Sequence, residues 1–181
     1  MTTWVALLGG INVGGHRVSM EQLRSMVDEL DVADVWTFIA SGNVIFDAPG
    51  RAATWERSIE AHLGDRLGYA VPTFVRSSAA LAKAVAQRPF GEVPAGHTHM
   101  VMFLRRNPTA AERRAIEALS TELERLEVHD NEVHWLIDGG VSDSTIWQKG
   151  LAKAIGQPLT TRNTKSLTKL VAKLGEITID P

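Results

Sequence analysis

The 181-residue chain has no cysteine and a single tyrosine, and neither charge sign dominates: 19 Lys and Arg stand against 21 Asp and Glu, a formal net charge of -2. Without thiols there are no disulfides, no thiolate nucleophile and no cysteine-ligated zinc, a composition that suits a reducing compartment. A pI near 6.3 argues against a surface coated in positive charge for nucleic acid, though a local basic patch stays open. No apolar run reaches the ~18 to 20 residues that a membrane-spanning helix needs, and the N-terminus lacks the basic-then-apolar pattern of a secretory leader. The sequence alone therefore predicts a soluble cytoplasmic protein with no membrane partner. Its hydrophobic fraction of 44% is enough to build a core.

Charge is distributed unevenly along the chain. Residues 1–143 hold 13 Lys and Arg against 19 Asp and Glu, whereas residues 144–175 hold six cations and no acid. Such a block attracts anions whatever the net charge.

Hydrophobic periodicity predicts strands at 3–8, 35–39, 44–46 and 71–75. Helices are expected at 20–30 with Ser19 as N-cap, at 55–67 with Gly68 as C-cap, and at 77–88, stopping before Pro89. The order is β-α-β-β-α-β, the split βαβ or ferredoxin-like arrangement. After the Pro- and Gly-bearing stretch 89–96 the pattern restarts. Strands are expected at 99–104, 126–129, 132–137 and 159–161, with helices at 109–123, 144–155 and 163–174. The expectation is an α+β protein of two ferredoxin-like (βαββαβ) subdomains, residues 1–90 and 97–176, each an antiparallel sheet with helices on one face. In this topology the loop after the first strand and the following hairpin turn share one end of the sheet. Residues 9–15 and 41–43 should be neighbours, and so should 105–107 and 130–131.

Five features bear on chemistry. The glycine-rich loop with Gly10, Asn12, Gly14 and Gly15 offers backbone N–H groups to an anion, yet it matches neither the dinucleotide fingerprint nor a P-loop, and glycines for positive φ are the plainer reading. Ser41-Gly42-Asn43 has hairpin-turn chemistry. Serving as a nucleophile would require a general base beside Ser41; His62 is nearest in sequence, His16 could lie at that end of the sheet, and no Gly-x-Ser-x-Gly elbow is present. His97 and His99 would face one way on a strand but lack a third ligand, so no metal site is expected; His129 and His134 are expected at the surface. The last helix has Arg162 and Asn163 at its N-terminus, with Lys165, Lys169 and Lys173 repeating every four residues; a solvated lysine face is the alternative to anion contact. Of five tryptophans, Trp147 beside Lys149 is the one expected to be exposed, where it could stack a base.

Gly10-Ile-Asn-Val-Gly-Gly15, Ser41-Gly42-Asn43-Val44 with Phe46, and Thr161-Arg162-Asn163 followed by Thr168-Lys169-Leu170 resemble the bacterial domain-of-unknown-function 1697 family over residues 1 to about 175. The resemblance implies two ferredoxin-like subdomains and no established activity. The family's usual arginine is replaced by Gly9, its basic pair before the fifth helix by Asp143 and Thr145, and its tryptophan after the asparagine by Thr164. On these grounds the leading reading is an anionic-ligand binder (nucleotide or nucleic acid) without catalysis and without cofactor. Its contacts are Gly10, Asn12, Gly14, Gly15, Ser41, Asn43, Arg162, Asn163, Lys165 and Lys169. The alternatives are an enzyme acting on a small phosphorylated or carboxylated metabolite in a cleft between subdomains, and a protein-interaction module, expected as a homodimer.

Overall fold

A computed structural model describes residues 1–179 apart from 13, 40 and 41. These residues form eight strands and six α-helices, arranged as two four-stranded antiparallel sheets. By compactness the chain divides into one unit of Met1–Lys83 with the stretch from Leu174, and a second of Ala84–Lys173. These boundaries cut through the third and the last helix, each of which is grouped below with the unit whose last strand it follows.

In the first unit β1 (Thr2–Leu8), α1 (Met20–Asp28), β2 (Ala33–Phe38), β3 (Asn43–Ala48), α2 (Ala52–Leu67), β4 (Thr73–Ser77) and α3 (Ser78–Ala86) follow in order, with strand order β2-β3-β1-β4. Ser19 caps α1 as expected: its hydroxyl accepts from Gln22 N at 3.1 Å while the Gln22 side chain accepts from Ser19 N at 3.0 Å. Leu23 and Val27, one turn apart on α1, pack with Ile59 and Leu63 of α2 onto Trp4, Ala6, Leu8, Val44 and Phe46 of the central strands. Fully burying each such aliphatic or aromatic side chain stabilises the fold by about 1.5–3 kcal/mol. Val5, Leu7 and Ile45, on the opposite face, are equally buried, so β1 and β3 carry unbroken apolar runs. Gly68 ends α2 in the left-handed conformation (φ 74°), its N–H donating to Gly64 O at 2.9 Å. The fourth strand lies two residues beyond its expected position. Its backbone is fixed from α2, where Glu60 accepts from Thr73 N at 2.8 Å and Glu56 from Val75 N at 3.0 Å.

The second unit repeats this order with β5 (His97–Leu104), α4 (Ala110–Glu117), β6 (Glu124–His129), β7 (Glu132–Asp138), α5 (Ala152–Ile155), β8 (Leu159–Asn163) and α6 (Thr164–Ile179), in strand order β6-β7-β5-β8. Each sheet has the same internal joint. Leu8 N donates to Gly42 O in the first and Leu104 N to Asn131 O in the second, both at 2.8 Å, so in each unit the loop after the first strand meets the hairpin turn.

Two helices differ from expectation. The predicted helix 109–123 ends at Glu117, because hydroxyls capture the backbone beyond it. Thr121 Oγ1 accepts from Leu123 N and Glu124 N, and Ser120 Oγ accepts from Leu126 N. The predicted helix 144–155 is a 3-10 turn (Val141–Asp143) and a short segment (Trp147–Leu151) kinked at Gly150, where φ is 108°, leading into α5. His134 is a further correction. It is 1% exposed rather than at the surface, because β7 is an interior strand whose two faces are both covered. The tryptophans sort as expected at the extremes, with Trp4 and Trp135 buried and Trp147 exposed. No helix among the described residues is long and apolar enough to cross a membrane.

Candidate functional site

The glycine-rich loop of the first unit is closed by its own side chain. Asn12 stands in the left-handed region (φ 58°); its Nδ2 donates to Val18 O at 3.1 Å and its Oδ1 accepts from Val18 N at 2.7 Å. The N–H groups at the loop's start are engaged as well, Leu8 by Gly42 O and Gly9 by Pro72 O at 2.7 Å. Gly10, Gly14 and Gly15 all have positive φ, and a Cβ on any of them would meet nothing within 4 Å. A hollow of about 520 Å³ lies over Asn12, Gly15, His16, Arg17 and Ser19, where His16 stacks on Tyr69 with ring centres 3.9 Å apart. Across the joint Gly42 presses against Ile11 and Leu8, and the buried Asn43 donates to Phe38 O at 2.9 Å, locking the hairpin. Ser41 lies outside the described residues. The asparagines at this end are therefore committed to loop closure.

The C-terminal group belongs to the second unit. Arg162 on β8 is buried: its Nη1 donates to Thr160 Oγ1 and Thr161 O, both at 2.9 Å, and burial pushes the guanidinium down to about 10, still charged at neutral pH. Asn163 caps α6, its Oδ1 accepting from Lys165 N at 2.8 Å. Lys165 and Lys169 are both exposed, and Lys165 lines a cleft of about 350 Å³.

That cleft assembles residues which sequence reasoning did not group. Besides Lys165 it is lined by Thr164 and Thr168 from the first turns of α6, His99 from β5, and Arg88 and Glu92 from the segment after α3. Arg88 has φ 37°, the left-handed position beyond a helix end where glycine is the usual residue. Holding an L-residue there costs about 1–2 kcal/mol.

Behind the cleft is a buried relay. Gln87 Oε1 lies 3.0 Å from His134 Nε2, and His134 Nδ1 lies 3.1 Å from His99 Nε2. The glutamine oxygen accepts, so His134 carries its proton on Nε2; its Nδ1 then accepts from His99 Nε2, leaving His99 Nδ1 as a lone-pair site. Burial pushes His99 down to about 4. Burial, with the His99 and His129 rings alongside, pushes His134 down to about 3. Both are neutral at physiological pH, and the cleft's positive charge comes from Arg88 and Lys165. Among the described residues no cluster of three or more His, Asp or Glu could hold a metal.

Each position at which the chain departs from the family pattern has a local partner here. Gly9 N bonds to Pro72 O, Asp143 Oδ2 accepts from Gly140 N at 2.7 Å, Thr145 bonds to Glu124, and Thr164 Oγ1 donates to His99 O at 3.0 Å.

Among curated proteins the chain has no match. Conserved bacterial protein SP0830 from Streptococcus pneumoniae has a solved structure similar to this one, with a TM-score of 0.77 at 22% identity over 97% of this chain and 99% of that chain; the likeness is one of fold. A family model matches residues 1–134, which includes the Gly10–Gly15 and Ser41–Phe46 motifs but stops short of the Thr161–Leu170 motif. The chain accordingly belongs to the family described as protein of unknown function (DUF1697).

Proposed function

We propose that the protein binds a small anion of the phosphate or carboxylate class, the phosphate of a nucleotide included, in the cleft beside the start of α6. We read the two units that carry it as ferredoxin-like, on the strength of their element and strand order. The observation that carries the binding reading is Arg88. An arginine occupies a strained left-handed position that glycine would fill without penalty, and from there it lines a cleft shared with Lys165. The hydroxyls of Thr164 and Thr168 donate to His99 O and Thr164 O, and Lys165 N donates to Asn163. The attraction for an anion therefore rests on the side-chain charges of Arg88 and Lys165, set against the single carboxylate of Glu92. The neutral His99 contributes a lone pair to this cleft, and therefore favours a ligand that retains a proton or an amine donor near its anionic group.

The test is calorimetric titration of the intact chain with inorganic phosphate and with a nucleoside monophosphate. Binding should weaken as salt rises, because two cations supply the attraction. Arg88→Gly relieves the backbone while removing the charge, so it should bind at least about tenfold more weakly with stability unchanged or raised. Lys165→Ala should also weaken binding, and Lys169→Ala should leave it unaltered. Absence of binding for both probes, or full binding by an Arg88→Gly, Lys165→Ala variant, refutes the proposal.

A further inference from the structure

On the face of the second sheet opposite His99 lies a different hollow, of about 400 Å³. Its floor is Met100 and Trp135, directly paired across β5 and β7. Val141 and Trp147 form its apolar walls, and Ser144 and Thr161 contribute hydroxyls. No charged side chain lines it. We propose that this hollow is a binding site for an uncharged planar heteroaromatic ring, of the size and chemistry of a nucleobase, stacked on Trp147.

Three observations carry this beyond the anion cleft. First, Trp147 is 45% exposed, whereas Trp4 and Trp135 are below 10%. A large ring left in water at a hollow's mouth is a stacking surface without its partner. Second, the backbone that presents it is irregular. Trp147 begins a short helical segment that is kinked at Gly150 (φ 108°) before α5. Third, the wall is held rigid from beneath by one buried carboxylate. Glu124 Oε2 accepts from Trp135 Nε1 at 3.1 Å and Ser144 Oγ at 2.7 Å, while Oε1 accepts from Thr145 N at 2.8 Å and Ile146 N at 3.3 Å. Glu124 thus ties the floor tryptophan to the segment leading into Trp147, which is preorganisation of the kind a binding site needs.

The ligand class follows from the lining. Two indoles and a thioether favour a flat, polarisable ring, and the volume lies in the range of small-molecule pockets. The Ser144 hydrogen is directed at Glu124, so its oxygen presents lone pairs and selects a ring N–H or exocyclic amine. The Thr161 hydroxyl can donate to a ring nitrogen or accept. A charged group would find no counter-charge among these residues.

Adenosine is the probe, because it carries such a ring and no charge; ribose is the control. Both are titrated into the intact chain while the tryptophan indole N–H resonances are followed. Adenosine should produce a saturable shift of the resonance that is missing from Trp147→Ala, and ribose should produce none. Trp147→Ala should weaken binding about tenfold, the scale of one base–aromatic stack, with Trp147→Phe retaining most of it. Ser142→Trp, which fills the mouth from an exposed position, should block the site without disturbing the core. Arg88→Gly with Lys165→Ala should leave adenosine binding intact, so failure of the anion cleft and failure of this site are told apart. No saturable shift with adenosine, or a shift that persists in both Trp147→Ala and Ser142→Trp, overturns the proposal.

Discussion

Lowering the pH from neutral toward about 5 should destabilise this protein well before its carboxylates begin to protonate, and the cause is the buried histidine relay. An unfolded histidine takes up a proton near pH 6.5, but in the folded protein His99 resists until about 4 and His134 until about 3. Between those values the unfolded chain holds protons that the folded chain refuses. Stability is therefore full above 6.5 and falls as pH drops toward 4. Each group contributes a slope of about 1.4 kcal/mol per pH unit, so by about pH 5 each has removed about 2 kcal/mol and the pair about 4 kcal/mol. Against a typical domain stability of about 5–15 kcal/mol this is a large fraction. Glu29, Glu112 and Glu124 are all held below 4.5, so their losses come at lower pH and leave the window to the histidines. The groups facing the relay are Gln87, Phe90 and His129, with Arg88, Glu92 and Lys165 around the adjoining cleft. The assay is urea denaturation at several pH values between 7 and 5, with His134→Gln expected to remove about half the slope. A midpoint that does not move over this range, or imidazole resonances of His99 and His134 titrating near 6.5, refutes the reasoning.

Glu124→Gln should destabilise the protein by about 2–4 kcal/mol in chemical denaturation, since an amide NH₂ cannot accept the bonds that Trp135 and Ser144 now donate to Oε2. Burial alone would raise the Glu124 carboxyl, but hydrogen bonds from Ser144, Thr145, Trp135 and Ile146 outweigh it. Stability from this group is thus present above about 4.5 and lost as pH falls further, and the Gln variant should lack that acid-side loss. At the joint of the first unit, Gly42→Ala should cost about 2–4 kcal/mol: φ is +74°, and its Cβ would lie 3.2 Å from both Leu8 Cβ and Ile11 Cβ. Gly14→Ala, also at positive φ but with nothing within 4 Å, should cost only about 1 kcal/mol; equal losses at the two positions would show that packing at the joint contributes nothing.

Local rules carried the reading of the fold as far as they reach. Ser19 with Gln22, and Gly68 after a polar–apolar helix, announce helix ends through groups only a few residues apart. The proximity of loop 9–15 to the hairpin follows from strand direction alone. Where the reading failed, a distant partner decides. Glu124 fixes residues 144–146, about twenty positions away, and so replaces the start of the expected α-helix with irregular turns. His134 alternates with Val133 and Trp135 as a half-exposed strand would, and only its place inside the sheet reveals that both faces are covered. At the site, Asn12 and Asn43 were legible as turn formers, which is how the structure uses them. Arg88, His99 and Lys165 were not legible as a group, because residues so far apart are joined only by the packing of three elements. The available signal was Arg88 itself, an arginine at a helix end where glycine is the habit.

The side chains that fix β4 from α2 have counterparts in the second unit, where Glu117 accepts from Val128 N at 3.1 Å and Arg113 donates to Val128 O on β6. These are edge strands, whose outward N–H and C=O groups would otherwise template a further strand. Here the template is partly occupied by the protein's own helices, and the β2 edge is interrupted by a bulge at Ala33–Trp36 with Asp34 at φ 50°. Copies of this chain, or extended peptides, cannot add to β4 or β6 without first displacing a carboxylate. Assembly that leaves these groups in place is therefore directed to side-chain surfaces or to the remaining edge at β8, and the sheets should resist growing into fibres through β4 and β6.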